Sequence, residues 1–180
     1  MKKLAALFLT CSLCLSFAAC GQTASGSGAD KDYTQAIVAA RSDEDNEMEI
    51  IAAKSGEDAV YSSNPNGLDD ADAPQTAEMV LATLGVSADQ LEEYAFSISL
   101  INVRAYAVGV FKPAEGQEDA VKAALEDYLV NIRKSFEQYL ADQYEVAKKG
   151  KVEVLPSGEI LLVMCEDSGD VMSALKAELK

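Results

Sequence analysis

Apolar and polar positions change their period several times along the chain, and each change marks an element. Leu4 to Phe17 is a mostly apolar run, and Gly21 to Lys31 is small and polar with no periodicity at all. Tyr33, Ile37 and Ala40 then recur at helical spacing, which predicts a short helix over 32–41. The acidic run Asp43-Glu44-Asp45-Asn46-Glu47 interrupts it, and Met48 to Ala53 reads as a short strand. Ser62 to Ala73, rich in Ser, Asn, Asp and Gly around Pro65, predicts a loop. Pro74 suits the first turn of a helix that runs to Leu84 and stops at Gly85. Ser87 and Gln90 form a capping-box pattern for one more short helix.

The pattern is most regular from Tyr94 onward. Phe96, Ile98 and Leu100 alternate with Ala95, Ser97 and Ser99, the period of a strand with one buried face. Val103 to Phe111 is a second strand with Tyr106, Val108 and Val110 on one side, and a tight turn is expected at Asn102. After Gly116 a helical stripe runs through Val121, Leu125, Tyr128, Leu129, Ile132, Phe136, Tyr139 and Leu140. Continued to Lys149 this helix would be about 50 Å long, too long for a compact domain of this size, so a break is expected near 139–141. Lys148 and Lys149 complement the helix end before Gly150. Val152, Val154, a Pro156-Ser157-Gly158 turn and the apolar run Ile160 to Cys165 make a hairpin whose second strand is central. Ser168 is positioned to cap a last helix carrying Val171, Met172, Leu175 and Leu179. Strand, strand, helix, strand, strand, helix predicts a two-layer α+β fold: an antiparallel sheet of about four strands with helices packed on one face. The domain spans 32–180, with 32–93 mostly helix and loop and 94–180 the regular sheet-helix core.

The N-terminal run changes the picture from fold to address. Lys2-Lys3, an apolar core too short to span a bilayer, and Ala18-Ala19 make a secretory signal over 1–19. Phe17-Ala18-Ala19-Cys20 resembles the lipobox of bacterial lipoproteins, with Phe17 where Leu is usual, so Cys20 is the expected lipid acceptor. Ordinary cleavage after Ala18, which would release the protein, is the competing reading. Cys14 follows bulky Leu13, and Cys11 leaves almost no apolar core. Two or three acyl chains, at about 0.8 kcal/mol per buried methylene, hold a protein far more firmly than one. The expected location is the extracytoplasmic face of the bacterial cell membrane. Residues 20–31 would then be the lipidated cysteine and a flexible linker.

Removing residues 1–19 takes away two lysines and no acid, so the formal charge of −15 becomes −17. So acidic a surface is repelled by phosphate backbones, and nucleic acid is not an expected partner. Acylation of Cys20 leaves Cys165 as the one free thiol, so no intramolecular disulfide staples the domain. The chain has no histidine, which excludes Ser-His-Asp and Cys-His nucleophilic sites and histidine-bearing zinc sites. Cys165 sits inside an apolar strand and reads as packing. Glu92, Glu93 and Glu159 fall at element ends, where solvated charge is the ordinary role of a carboxylate; glycoside hydrolysis would need two of them about 5–10 Å apart. Asp69, Asp70 and Asp72 follow Asn64 and Asn66 in one loop, but the register does not fit an EF-hand. Lys148, Lys149 and Lys151 are a small basic cluster at a helix end. No glycine-rich phosphate loop is present, and no cofactor, metal or catalytic residue is implied.

Ser135-Phe136-Glu137-Gln138-Tyr139-Leu140-Ala141-Asp142-Gln143-Tyr144-Glu145 resembles a segment of a family of small bacterial lipoproteins carrying a domain of unknown function, family 4358 of that series. Ser99-Leu100-Ile101-Asn102-Val103 and Ile160-Leu161-Leu162-Val163-Met164 resemble the same pattern, and together they cover about 70–180. Relatives often carry proline where this chain has Ala141. The resemblance implies membrane-anchored placement and an α+β domain, and brings no catalytic residue with it. Glu137, Gln138, Asp142, Gln143 and Glu145 are a candidate recognition face, with Phe136, Tyr139 and Tyr144 buried beside them; the plainer role is a helix break locked onto the sheet by aromatics. The functional expectation is a non-enzymatic, lipid-anchored envelope protein that binds another envelope component. The competing class is a carboxylate-dependent enzyme or a small-ligand or cation binding domain. Replacing Cys20 by Ser is expected to move the protein from the membrane to the soluble fraction on cell fractionation; retention in the membrane would overturn the anchor.

Overall fold

The computed structural model describes residues 31–180. The signal segment 1–19, Cys20 and the spacer as far as Asp30 lie outside the described residues. The first helix, α1 (Tyr33–Ala40), starts where the Asp32 carboxylate accepts the Gln35 N–H at 2.9 Å, satisfying a donor that has no partner within the helix. Strands β1 (Ile50–Lys54) and β2 (Val60–Ser63) form a hairpin. Helix α2 (Ala73–Leu84) carries Pro in its first turn and ends at Gly85, whose φ of 74° lets the Val86 N–H fold back onto the Leu81 carbonyl at 3.0 Å. Strands β3 (Leu91–Ile98) and β4 (Ala107–Pro113) follow, then α3 (Glu118–Phe136), α4 (Ala141–Lys148), the hairpin β5 (Lys151–Val154) and β6 (Ile160–Met164), and α5 (Ser168–Glu178).

The strands form one six-stranded sheet in the order β2-β1-β3-β4-β6-β5, antiparallel throughout. The α+β class is therefore as read from the sequence, while the expected count of about four strands is too low. The hairpin β1–β2 supplies the difference: β2 is a four-residue edge strand with alternating exposure, too short and too polar to stand out from the loop that begins beside it. The Ser87–Gln90 capping box is present, on a single turn of 3-10 helix.

Helices on one face only is a second expectation the structure corrects. Ile160, Leu162 and Met164 of β6 join Phe96, Ala107 and Phe111 in one apolar cluster with α2, α3 and α4. Leu161 and Val163 join Ala95, Val108 and Val110 in another, with Tyr33, Ala36 and Ile37 of α1 and Val171, Met172 and Leu175 of α5. Successive strand residues point to opposite faces, so these two clusters lie on opposite sides of the sheet. A strand buried on both faces must be apolar without alternation, and that is why β6 reads as a continuous apolar run.

The expected break between α3 and α4 occurs without proline. Phe136 is buried against the sheet, Tyr139 and Leu140 N–H groups both return to the Phe136 carbonyl, and Leu140 leaves the helix in extended conformation before α4 begins. Tyr139 is not part of the buried stripe; it is 68% exposed. The expected tight turn at Asn102 is instead the longer connection 99–106, which leaves Leu100, Ile101 and Val103 exposed. Ser168 does not cap α5 through its side chain: its hydroxyl donates to the Cys165 carbonyl at 2.7 Å and accepts the Cys165 N–H at 2.9 Å.

Gly109 faces Phe96 across β3–β4, and a Cβ there would sit 2.7 Å from the Phe111 ring and 3.2 Å from the Phe96 Cβ. The rings of Tyr94 and Phe96 stack at 5.4 Å and those of Phe96 and Phe111 at 6.3 Å, so neither neighbour has free room to retreat. Gly109→Ala is expected to destabilise the protein by about 2 kcal/mol, the range of core overpacking, in urea unfolding monitored by tyrosine fluorescence; an unchanged midpoint would show that the aromatic stack yields freely.

Candidate functional site

The end of the sheet where β4 begins and β6 ends carries a cavity of about 530 Å³. Its lining comes from the end of α1 and the residues after it, the connection before β4, α4, and the junction of β6 with α5. Arg41, the C-cap of α1, is 6% exposed. Its Nε donates to Asn46 Oδ1 at 2.6 Å, one Nη to the Met48 carbonyl at 2.7 Å and the other to the Tyr106 hydroxyl at 3.2 Å. Arg104 pairs with Asp45 at 2.5 Å, and its guanidinium lies 5.1 Å from the centre of the Tyr106 ring. Gln143 of α4 accepts the Ala105 N–H at 2.8 Å, tying the connection before β4 to the opposite helix layer.

On the β6–α5 side, Glu166, Asp167 and Asp170 line the cavity and are exposed to solvent. Cys165 lies beneath them; burial pushes its thiol above its ordinary pKa, with a hydrogen bond from Ser168 opposing the shift, so the sulfur stays protonated at neutral pH. Burial likewise raises the Tyr106 hydroxyl despite the nearby Arg41. Both groups act here as neutral lining.

The sequence-derived face is dispersed. Glu137, Gln138 and Asp142 are exposed at the α3–α4 break, Glu145 pairs with Lys148 at 2.8 Å, and Gln143 alone among them lines the cavity. Lys149 donates to the Glu166 carbonyl at 2.8 Å, so it and Lys148 take separate partners. In the acidic loop, Asn64 closes its own turn onto Leu68, Asn66 reaches Glu47 and Glu49, and Asp69 accepts the Ala71 N–H. Among the described residues no three His, Cys, Asp or Glu side chains are placed to hold a metal ion.

Glu93 lies 3.6 Å from Lys54 and Glu92 is exposed. Glu159 differs from both: it is 4% exposed at the opposite end of β6 from the cavity, pairs with Lys31 at 3.0 Å, accepts a hydrogen bond from Ser157 and meets the Tyr33 hydroxyl at 3.5 Å. Lys31, expected at the end of the spacer, is thus already part of the folded unit.

Sequence reasoning missed Arg41, Arg104 and Asp45. The available signal was scarcity: the chain has three arginines, and two of them stand directly beside apolar segments, in Ala39-Ala40-Arg41 and Val103-Arg104-Ala105-Tyr106.

Together these features define an α+β domain with an antiparallel sheet, helices on both faces and a polar cavity at one sheet end. The family described as "Domain of unknown function (DUF4358)" matches residues 68–177, and the chain belongs to that family. No curated protein and no solved structure matches the chain. The matched segment includes Arg104, Gln143 and the acids of the β6–α5 junction; Arg41 and Asp45 precede it.

Burial works to raise the Glu159 pKa, but the hydrogen bonds from Ser157 and Lys31 outweigh it and hold the carboxyl below its ordinary value of 4.5. A depressed carboxylate contributes stability that is complete above the unfolded value and lost as pH falls through the folded one. Glu159→Gln is therefore expected to lower stability by about 2 kcal/mol at pH 7, with the deficit shrinking as pH drops below about 4.5, in urea titrations between pH 3 and 7. A deficit independent of pH would show that the role of Glu159 is steric.

Proposed function

We propose that this protein is a non-catalytic binding module, held at the extracytoplasmic face of a bacterial membrane by lipid on Cys20, that binds an envelope component at the cavity end of its sheet. The observation that carries the reading is the construction of the cavity. Four separate parts of the chain converge on it, and Arg41, Arg104 and Gln143 are each held by hydrogen bonds or an ion pair to partners remote in sequence. Side chains locked before binding lose little freedom when a ligand arrives, which favours recognition. The volume falls in the range of small-molecule sites.

The polarity of the domain supports the same reading. The chain enters the folded unit at Lys31, beside Ser157 and Glu159. Cys165, at the cavity, is six residues further along β6, about 20 Å at 3.3 Å per residue. The point of chain entry and the cavity thus lie at opposite ends of β6. Among the described residues no helix is long and apolar enough to cross a membrane.

In-cell photocrosslinking separates the two ends. A photoreactive residue at Glu166, beside the cavity, is expected to capture an envelope component in an anchor-dependent way, with capture lost in Cys20→Ser. One at exposed Glu115, past the far end of β4, is expected to capture nothing specific. Equal capture from both positions, or none from Glu166, would overturn the assignment.

A further inference from the structure

The cavity lining holds its charges unequally: Glu44 and Asp45 lie on the same part of it as Arg41 and Arg104, with Asp45 paired to Arg104 and Glu44 exposed. The guanidinium of Arg41 is buried, and no carboxylate among the described residues forms an ion pair with it. Its three hydrogen bonds go to an amide oxygen, a backbone carbonyl and a phenol, all neutral. Two of its five N–H groups remain, and the C terminus of α1 offers only a partial negative charge. Asp45, which lines the same part of the cavity, pairs with Arg104. A buried cation without a counter-ion is unfavourable unless something supplies the charge.

The β6–α5 part of the lining carries charged groups of one sign alone, Glu166, Asp167 and Asp170. Glu166, Asp167 and Asp170 make no ion pair among the described residues, although Lys149 sits close enough to bond the Glu166 carbonyl. A simple anion meets these three carboxylates. A metal ion finds no converging ligand set. A simple amine satisfies the acids and leaves Arg41 as it is. A ligand bearing both an ammonium and a carboxylate answers both imbalances at once.

We infer that the cavity binds a small zwitterion with a free amino group and a free carboxylate, of the amino-acid or short-peptide class, its carboxylate on Arg41 and its ammonium on Asp167 and Asp170. This rests on the cavity being the binding site, and adds the chemistry of what enters it. About 530 Å³ is ample for a dipeptide, which fills the space better than a single amino acid. The carboxylate accepts the two remaining Arg41 N–H groups in the planar geometry that guanidinium favours.

The test uses the full-length chain in detergent and ligand-detected NMR with five probes: alanine, alanyl-alanine, N-acetyl-alanyl-alanine, alanyl-alanine amide and spermidine. Alanyl-alanine is expected to bind with Kd on the order of 1 mM or tighter, and each blocked form about tenfold more weakly. Alanine binding as tightly as the dipeptide assigns the site to free amino acids; weaker alanine binding assigns it to peptides. Asp167→Asn with Asp170→Asn, both at exposed positions, is expected to weaken alanyl-alanine about tenfold at unchanged Tm, and Arg41→Lys to weaken it while preserving the preference for a free amine. Absence of alanyl-alanine binding, equal binding of the blocked forms, or binding of spermidine in its place would overturn the inference. None of these readouts involves the membrane, so a failure here is distinct from a failure of anchor-dependent capture.

Discussion

Strands β4 and β6 carry the constraint on which the domain depends: both faces of their pair must be covered. Ile160, Leu161, Leu162 and Val163 are all fully buried, and in β4 Val108, Val110 and Phe111 are as well. Neither helix layer alone hides them, since α3 and α4 cover alternate residues and α1 and α5 cover the rest. Removing either layer exposes a full apolar face, at roughly 25 cal/mol for each Å² returned to water. The N-terminal and C-terminal helices are thereby bound to the stability of the centre.

Filling both faces with apolar side chains drives polar chemistry to the sheet ends, and the two ends resolve it differently. At one, Glu159 is closed over by Lys31, Ser157 and Tyr33, a complete set of partners for a buried carboxylate. At the other, Arg41 and Tyr106 are buried beside an open cavity, which Glu44, Asp45, Arg104 and the acids of the β6–α5 junction also line. The first arrangement fixes where the chain enters the domain; the second leaves Glu166, Asp167 and Asp170 without an ion pair among the described residues.

The family match starts at residue 68, after α1, β1 and β2. Those elements are nonetheless integral: β1 pairs with β3 over four residues, and α1 packs against α5 on one face of the sheet. The cavity therefore joins groups inside the matched segment, such as Arg104 and Gln143, to Arg41 and Asp45 outside it. Chemistry placed at this seam depends on how the N-terminal segment of this chain is built.

Much of the fold was legible because it is written in short-range patterns. The strand over 94–98, though not its start at Leu91 or its burial on both faces, the helix stop at Gly85, the break before Ala141 and the hairpin across Gly158 all follow from periodicity, capping and turn chemistry among residues a few positions apart. The continuous apolar run of β6 is the local mark of cover on both faces, which helices on one face alone do not provide. The candidate site was not legible, apart from Gln143. Arg41 and Tyr106 are 65 residues apart, and Ala105 and Gln143 are 38 apart. The sequence by itself determined which segments become helix or strand and which of their faces are apolar, because those depend on local backbone geometry. Only the tertiary structure decided which polar residues share the sheet end and which charge lacks a partner, because that depends on how two helix layers close over one sheet.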